Sequence, residues 1–377
     1  MNQRDTLGLL GRYSDPEQEY SVAWNPLTTL KSPSSIKTDR IISFLLFHFH
    51  GQITPTAGYA AAVADPLRNL LQEIRVYGSH AQFGAQTPIR VRAKSTSDMN
   101  GIYRIGYAPR DIVFDNGVQV VGPQVLPNPT VAGHHYDVDV FWTLPLFPLP
   151  MGLNLAPLYS LKGPDWAGNL MVDCDAGDGT AIGSTSANIA FTAYGAQAGT
   201  PQLFVNVIRP LVTVDLMNRI SPAITFKSYR LQDAVAQQAS FALGKISDLN
   251  IGKRMAAIHT ASGTLFAAVS PGIRATVAFL DTIITRLVVS LDGKYLALPY
   301  SGRVQSEMQS WLGGAPFPVG YGAYSFIRQS GNPDSAFPAE TLTAARRFEL
   351  DGDVTAAAGQ GIEVMQTEIL GSPSISA

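Results

Sequence analysis

The chain has 377 residues, of which 46% are hydrophobic and only 15% are charged. This balance supports a sizeable buried core and excludes an intrinsically disordered protein. The 34 glycines and 25 prolines favour many short strands over long exposed helices. A net charge of −2 lacks the electrostatic signature of a nucleic-acid-binding protein, which normally has a basic face, so we expect no direct, specific binding to nucleic acid. Because Cys174 is the single cysteine, no internal disulfide can form, and we expect its thiol to be structural.

Two stretches of the sequence could encode a secretory signal or a membrane-spanning helix. The N-terminus lacks the apolar region of a secretory signal peptide. The longest uncharged run covers residues 140–161, but prolines interrupt it repeatedly and would break a spanning helix. We therefore expect neither a transmembrane helix nor signal-dependent secretion.

The first 35 residues differ in character from the remainder of the chain. They are polar, show no clear periodicity and are punctuated by Pro16, Pro26 and Pro33. This composition predicts an extended arm at residues 1–35, outside the folded domains. Residues 41–49 are apolar on both faces of a strand, which predicts a strand buried between two layers.

Short apolar or alternating segments continue along the chain and predict further strands. They cover residues 70–77, 89–92, 136–147, 170–172, 190–194, 203–208, 255–258, 283–291, 295–298, 324–327, 345–350 and 362–369. A helical turn is expected at residues 98–105, with Ser97 or Asp98 as its N-cap. Residues 231–249 space their apolar side chains as an amphipathic helix does, and we expect this helix to connect two domains.

An internal echo relates the two halves of the chain. Residues 70–76 (LLQEIRV) align with residues 283–289 (IITRLVV) at an offset of 213, and a glycine turn follows each copy. The order of strand, strand, turn, strand and helical turn also repeats, which predicts a duplicated β-sandwich. On this alignment Ile74 and Leu287 face inward at equivalent positions. Glu73 lies on the opposite face, where replacement should cost much less unless that face meets a partner sheet or subunit.

One acidic turn is a candidate metal site. Asp173, Asp175 and Asp178 lie in a glycine-containing stretch that resembles a calcium loop. Calcium prefers several hard oxygen ligands from a tightly bent loop, so these carboxylates are the candidate ligands of a structural Ca²⁺. An ordinary Asp/Gly turn is the competing interpretation, because Ser184 stands where an EF-hand would have its bidentate glutamate.

Two further groups of polar residues lie on predicted strands. His48 and His50 are two residues apart, so their rings share a face and could bind a metal; polar positions at a strand end are the competing interpretation. Asp137 and Asp139 share a face of another strand. A divalent cation, a subunit boundary or a solvated strand edge would each account for this second pair.

Sequence motifs of common catalytic machinery are missing. The chain has no Gly-x-Ser-x-Gly elbow, no His-Glu-x-x-His motif and no Gly-x-x-x-x-Gly-Lys phosphate loop. We therefore expect no enzymatic activity, and no cofactor other than the calcium ion considered above.

A duplicated sandwich of this length, with a polar arm, low charge and no catalytic motif, resembles the double jelly-roll major capsid proteins of tailless icosahedral viruses, especially bacteriophages with an internal lipid membrane. Three stretches carry the resemblance: the paired segments at residues 70–78 and 283–293, the proline-rich run at residues 143–150 and the helical connector between the halves. The resemblance is architectural and covers residues 36–370. It implies an all-β fold of two eight-stranded jelly-roll sandwiches in tandem, with short helices and a helical connector. The corresponding divisions are an N-terminal arm at 1–35, a first jelly roll at 36–210, a connector at 211–253, and a second jelly roll with a C-terminal tail at 254–377.

The resemblance also implies a function. A major capsid protein is structural and self-assembles, here into homotrimeric pseudo-hexagonal capsomers of an icosahedral shell. Its partners would be neighbouring capsomers, minor capsid or penton proteins and an underlying viral membrane, and it would reside in the virion after synthesis in the host cytoplasm. The low charge independently favours large subunit interfaces.

Two alternatives belong to other classes of protein. A two-domain jelly-roll enzyme acting on glycans, or a carbohydrate-binding protein, would have an open cleft with two carboxylates or an aromatic platform. A viral spike protein would share the low charge and lack the duplication.

Overall fold

The computed structural model is built mainly of β-strands. It describes residues 12–36, 39–55, 66–103, 111–115, 117–119, 135–149, 151–166, 169–182, 189–193, 199–233, 238–245, 253–266, 275–291, 294–295, 317–325, 348–354 and 359–376.

The strands in the first part of the chain are β1 (Glu17–Ala23), β2 (Thr29–Lys31), β3 (Ile41–Ile42), β4 (Phe44–Pro55), β5 (Leu71–His80), β6 (Gly84–Arg92), β7 (Ile112–Asp115), β8 (Val118–Gln119), β9 (Tyr136–Pro145), β10 (Leu161–Lys162), β11 (Met171–Ala176), β12 (Ile189–Thr192) and β13 (Gln202–Ile208). The strands in the second part are β14 (Ile220–Ser221), β15 (Ile224–Asp233), β16 (Gln238–Lys245), β17 (Lys253–Phe266), β18 (Ala275–Phe279), β19 (Ile284–Leu291), β20 (Lys294–Tyr295), β21 (Tyr321–Ser325), β22 (Phe348–Val354), β23 (Gln360–Leu370) and β24 (Ser374–Ile375). The α-helices of the described part are α1 (Ala93–Ile102) and α2 (Val214–Arg219), and 3₁₀ turns lie at Pro66–Asn69, Ala156–Leu158, Gly163–Trp166 and Gly179–Ile182.

Eight main strands form the first sandwich, namely β1, β2, β4, β5, β6, β9, β11 and β13. One sheet has the order β1–β13–β4–β9, and the other has the order β2–β11–β5–β6. Numbered along the chain, these sheets read 1-8-3-6 and 2-7-4-5. The short strands β7, β8 and β12 extend the first sheet. Side chains from both sheets, such as Phe47, Trp142, Ile74 and Val172, share one hydrophobic core.

The second sandwich repeats this arrangement with β15, β16, β17, β19, β20, β21, β22 and β23. Its sheets have the orders β15–β23–β17–β21 and β16–β22–β19–β20, with β18 added beside β17. They read again 1-8-3-6 and 2-7-4-5. The echoed segments therefore lie in equivalent strands, since β5 and β19 are both the fourth strand and each pairs antiparallel with the seventh. The predicted duplication is confirmed in strand order and direction.

A continuous sheet joins the two sandwiches. Strand β15 runs parallel to β6 at the pair Lys227 and Ile89. One nine-stranded sheet therefore contains β15, β17, β18, β21 and β23 of the second sandwich and β2, β5, β6 and β11 of the first. The helix predicted at residues 231–249 is wrong in the described part, where β15 and β16 lie instead. Antiparallel pairing with β23 and β22 decides this conformation, because sheet partners distant in sequence override a weak helical periodicity.

The described part of the N-terminal segment, residues 12–35, is not an arm. Strand β1 pairs with β13, and β2 pairs with β11, so each forms an edge of one sheet of the first sandwich. Trp24 is only 2% exposed and packs edge-on against Phe49, with ring centroids 4.8 Å apart. The hydrophobic pattern of a strand was weak in this segment because an edge strand buries few side chains. Within β1 only Tyr20 is buried. Residues 1–11 lie outside the described residues.

The N-terminal half of β4 is buried on both faces, as its apolar run predicts. Leu45, Phe47 and Phe49 belong to the core of the first sandwich. Phe44 and Leu46 point the other way, into a second core that also contains apolar residues of the second sandwich, among them Ala256, Tyr321, Met365 and Ile369. This second core, here called the seam core, packs the two sandwiches together.

Helix α1 begins earlier than the helical turn expected at residues 98–105. Its N-terminal boundary is Arg92, which makes no side-chain cap. Ser97 and Asp98 bond to other elements instead: Arg68 donates to Ser97 Oγ, and Tyr321 donates to Asp98 Oδ2. Tertiary partners thus replace the local capping role. Within the described residues, no helix combines the length and apolar character needed to span a bilayer.

Trp24 provides a test of the N-terminal assignment. We expect Trp24→Ala to lower the free energy of unfolding by ~3–5 kcal/mol, because it leaves a cavity in a closed core. Leu27→Ala is the matched control in the same segment, since Leu27 is 52% exposed, and its effect should stay within ~0.5 kcal/mol. Urea unfolding of both variants measures the difference. Equally small effects of the two substitutions would show that this segment is an arm and not part of the core.

The duplication predicts that equivalent substitutions in the two halves lower the free energy of unfolding by similar amounts. Ile74 is 1% exposed, so Ile74→Ala should cost ~2–5 kcal/mol, and Leu287→Ala should cost a similar amount because it occupies the equivalent strand. Thr87→Ala, at an exposed position of β6, serves as the control. Chemical denaturation measures all three. A negligible cost for Leu287→Ala beside a large cost for Ile74→Ala would show that the echo does not match buried positions.

Candidate functional site

Helix α1 supplies a set of buried polar contacts between the sandwiches. Ser95 donates from Oγ to Glu363 Oε2 of β23 over 2.7 Å. The hydroxyl of Tyr103, just after the helix, forms a hydrogen bond with His259 Nε2 of β17 over 2.8 Å. Burial lowers the pKa of His259 to about 3, so its ring is neutral. These contacts form the polar part of the interface around the seam core.

The face of β5 opposite Ile74 is part of the same interface. Glu73 is 6% exposed and accepts from Arg75 Nη1 at 2.7 Å, Arg90 Nε at 3.1 Å and the hydroxyl of Tyr229 on β15. Burial alone would raise the pKa of Glu73, but the bonds from Tyr229, Arg90 and Arg75 hold it below its ordinary value. The small cost expected for replacing Glu73 applied only if this face met no partner. Because the face packs against the second sandwich, the exception applies to Glu73.

Lys227 places a buried amine at this junction. Its Nζ donates to the carbonyl oxygen of Pro145 over 2.6 Å. Burial lowers the pKa of Lys227 to about 7, since the apolar surroundings penalise its charged form. Lys227, His259 and Met99 line a small cavity between the sandwiches.

The acidic turn gives each candidate calcium ligand a protein partner. Asp175 accepts two hydrogen bonds from the guanidinium of Arg75, at 2.6 and 2.7 Å. Asp173 accepts from Tyr77 over 3.2 Å, and Asp178 accepts from the backbone N–H of Thr180 over 2.9 Å. Within the described chain, these carboxylates do not converge on a common point. The calcium site stays a prediction, in which a cation would have to replace these partners.

The thiol between two of these aspartates is shielded. Cys174 is 1% exposed and lies in the core of the first sandwich. Burial raises the pKa of its thiol far above the ordinary range, with the charges of Asp173 and Asp175 adding to the effect. This environment agrees with a structural role.

The structure brings together one group that the sequence divided between two predicted strands. His48 and His50 point outward from β4, and Asp139 points outward from the neighbouring β9, where it lies directly opposite His50. His48 Nε2 and His50 Nδ1 are each 2.6 Å from Asp139 Oδ1. Burial alone would raise the pKa of Asp139, but hydrogen bonds from both rings lower it. We refer to these three residues as the His–Asp cluster.

Only the pairing of β4 with β9 reveals the His–Asp cluster. The available sequence signal was the presence of polar residues at alternate positions of two otherwise apolar strands. Asp137, the other carboxylate of that face, accepts from Gln52 Nε2 over 2.9 Å instead. The strand register therefore gives Asp137 and Asp139 different partners, although the sequence pattern does not distinguish them.

The strand order and the solved structures agree on the fold. The chain has the double jelly-roll fold. It is similar to a chain in the atomic structure of Sulfolobus Turreted Icosahedral Virus, with a TM-score of 0.57 and 12% identity over 96% of this chain and 91% of that chain. It is similar to the Faustovirus major capsid protein, with a TM-score of 0.54 and 9% identity over 97% and 90%. It is also similar to the PBCV-1 virus capsid, with a TM-score of 0.51 and 12% identity over 97% of each chain.

No protein-family model and no curated protein matches the chain. The double jelly roll is thus identified by its strand order and by structural similarity across nearly the whole chain, at identities too low for the sequence alone to establish kinship. The predicted all-β class is confirmed, with strands β15 and β16 in place of the helical connector.

Lys227 predicts a pH dependence of stability. Between pH ~7 and ~10.5 the unfolded chain keeps the Lys227 proton while the folded chain has lost it, so this contribution to the free energy of unfolding rises with pH. Lys227→Met removes the contribution. The stability of wild type relative to this variant should therefore increase by ~1.4 kcal/mol per pH unit over that window.

Urea unfolding at several pH values between 7.5 and 9.5 measures this slope. Lys31→Met is the matched control, because Lys31 is exposed on β2 and its removal should leave the pH profile parallel to wild type. Parallel profiles for wild type and Lys227→Met would show that the buried amine keeps its ordinary proton affinity.

Proposed function

We propose that this protein is a viral major capsid protein, a structural, non-enzymatic subunit of an icosahedral shell. The observation that carries the proposal is the pair of jelly rolls with one strand order, which matches capsid structures over nearly the full length of both chains. The comparisons give no support to a glycan-active enzyme, a carbohydrate-binding protein or a spike.

The internal architecture suits a shell subunit for a mechanical reason. The continuous sheet and the seam core make the two jelly rolls one rigid body rather than two domains on a linker. A shell needs subunits of fixed shape, because small changes in the angle between domains would accumulate across many contacts. A rigid pair of similar jelly rolls provides such a unit.

The duplication also suits a particular symmetry. Three chains that each contribute two jelly rolls place six similar units around a ring, so a homotrimer presents a pseudo-hexagonal outline. Such capsomers would contact neighbouring capsomers and minor capsid or penton proteins, and the shell could enclose a viral membrane. On this proposal the protein is made in the host cytoplasm and resides in the virion.

Some exposed apolar side chains are suitable for contacts between subunits. Leu211 and Val214, beside the start of α2, are 56% and 70% exposed, and Val118 of β8 is 70% exposed. Exposed aliphatic groups of this kind gain stability when a neighbouring surface covers them. They are the first residues to examine in an assembled particle.

The assembly prediction is a homotrimer. Light scattering of the purified full-length protein should give three times the 40.4 kDa mass of one chain, and negative-stain microscopy should show hexagonal tiles. Stable trimers of this kind bury more than the ~1,600 Å² of a standard interface. A 40.4 kDa monomer that persists at high concentration, without tiles or shells, would contradict the proposal.

A further inference from the structure

The His–Asp cluster has the composition and geometry of a transition-metal site. We propose that it binds Zn²⁺ through His48 Nε2, His50 Nδ1 and a carboxylate oxygen of Asp139, with water completing the coordination. The three ligand atoms already lie within 4.8 Å of one another. This inference does not depend on the capsid proposal.

The distances allow metal entry after a small adjustment. Zinc bonds of ~2.0–2.1 Å in a tetrahedral site place neighbouring ligand atoms about 3.3 Å apart. Each ring nitrogen is now 2.6 Å from Asp139 Oδ1, so the group has to open by less than ~1 Å per contact. Side-chain rotation achieves this opening without moving the strands.

The surroundings hold the ligands in place. His50 and Asp139 are directly opposite each other in the antiparallel ladder of β4 and β9. The His48 ring is stacked between Phe141, at 4.5 Å and 13°, and Phe204, at 5.5 Å and 27°. A rigid sheet and stacked rings lower the entropy that metal binding must overcome, as expected of a preorganised site.

The donor set selects the class of metal. Two imidazole nitrogens and one carboxylate suit zinc and related transition metals, whereas calcium and magnesium prefer oxygen-only sites. The side chains of His48, His50 and Asp139 are 24%, 37% and 16% exposed. An ion therefore has a path to the cluster from solvent, and a water molecule has room at the remaining position.

Titration of the purified full-length protein, without a histidine tag, tests the site. Isothermal titration with ZnCl₂ should give one ion per chain at micromolar affinity or tighter, and Co²⁺ should develop the visible absorption of a tetrahedral site. His48→Gln, His50→Gln and Asp139→Asn should each weaken binding at least tenfold. Asp137→Asn is the matched control on the same face of β9 and should bind as wild type does.

Two results would overturn the proposal. One is the absence of both zinc uptake and cobalt absorption in the wild-type protein. The other is unchanged binding by the double variant His48→Gln/His50→Gln, which would place the ion at other residues. Circular dichroism shows whether each variant is folded, and the wild-type titration decides the first result even if a variant fails to fold. The measurement gives the same answer in a monomer or a trimer, so it is separate from the test of assembly.

Discussion

The N-terminal half of β4 is buried on both faces, and the joining of the two jelly rolls depends on this constraint. One face contributes Leu45 and Phe47 to the core of the first jelly roll, and the other contributes Phe44 and Leu46 to the seam core. A separated first jelly roll would expose these last two side chains together with Phe147, a contiguous apolar surface that favours association. The hydrophobic effect thus favours a single body containing both jelly rolls.

Polar contacts then select one arrangement of that body. Glu73 bonds to Tyr229 across the junction, Ser95 bonds to Glu363, and Lys227 bonds to the carbonyl of Pro145. Apolar packing tolerates small rotations, but a buried polar group loses its hydrogen-bond partner when the surfaces shift. Since burial raises the pKa of Glu363 and lowers that of Lys227, these groups are held in surroundings that disfavour their charged forms. We infer that they contribute more to a unique geometry than to net stability.

The position of the His–Asp cluster is set by where the seam core ends. Up to Leu46 the outer face of β4 is covered by the second jelly roll, and from His48 onward the same face is partly open to solvent. The residue pattern therefore changes within one strand. The first half is apolar on both faces, and the second half alternates between apolar residues facing the core and polar residues facing solvent. The histidines lie at this transition, beside the outward-facing carboxylates Asp137 and Asp139 of β9.

The sequence alone determined the main features that depend on local pattern. The apolar run at residues 41–49 predicted a strand between two layers. The repeated segments that contain Ile74 and Leu287 identified equivalent strands. Both predictions succeeded because hydrophobic pattern and sequence repetition can be read from the order of residues alone. Only the tertiary structure decided three other features: the strand conformation of the described part of residues 231–249, the burial of Trp24 in the first core, and the contact between His50 and Asp139. In each case the deciding interaction is a hydrogen-bonded or packed partner far away in the chain: β22 and β23 for the two strands, Phe49 for the indole, and the register of β4 with β9 for the cluster. The difference in propensity between helix and strand for a short segment is smaller than the free energy of such long-range contacts. The tertiary fold therefore determines the conformation and burial of these residues.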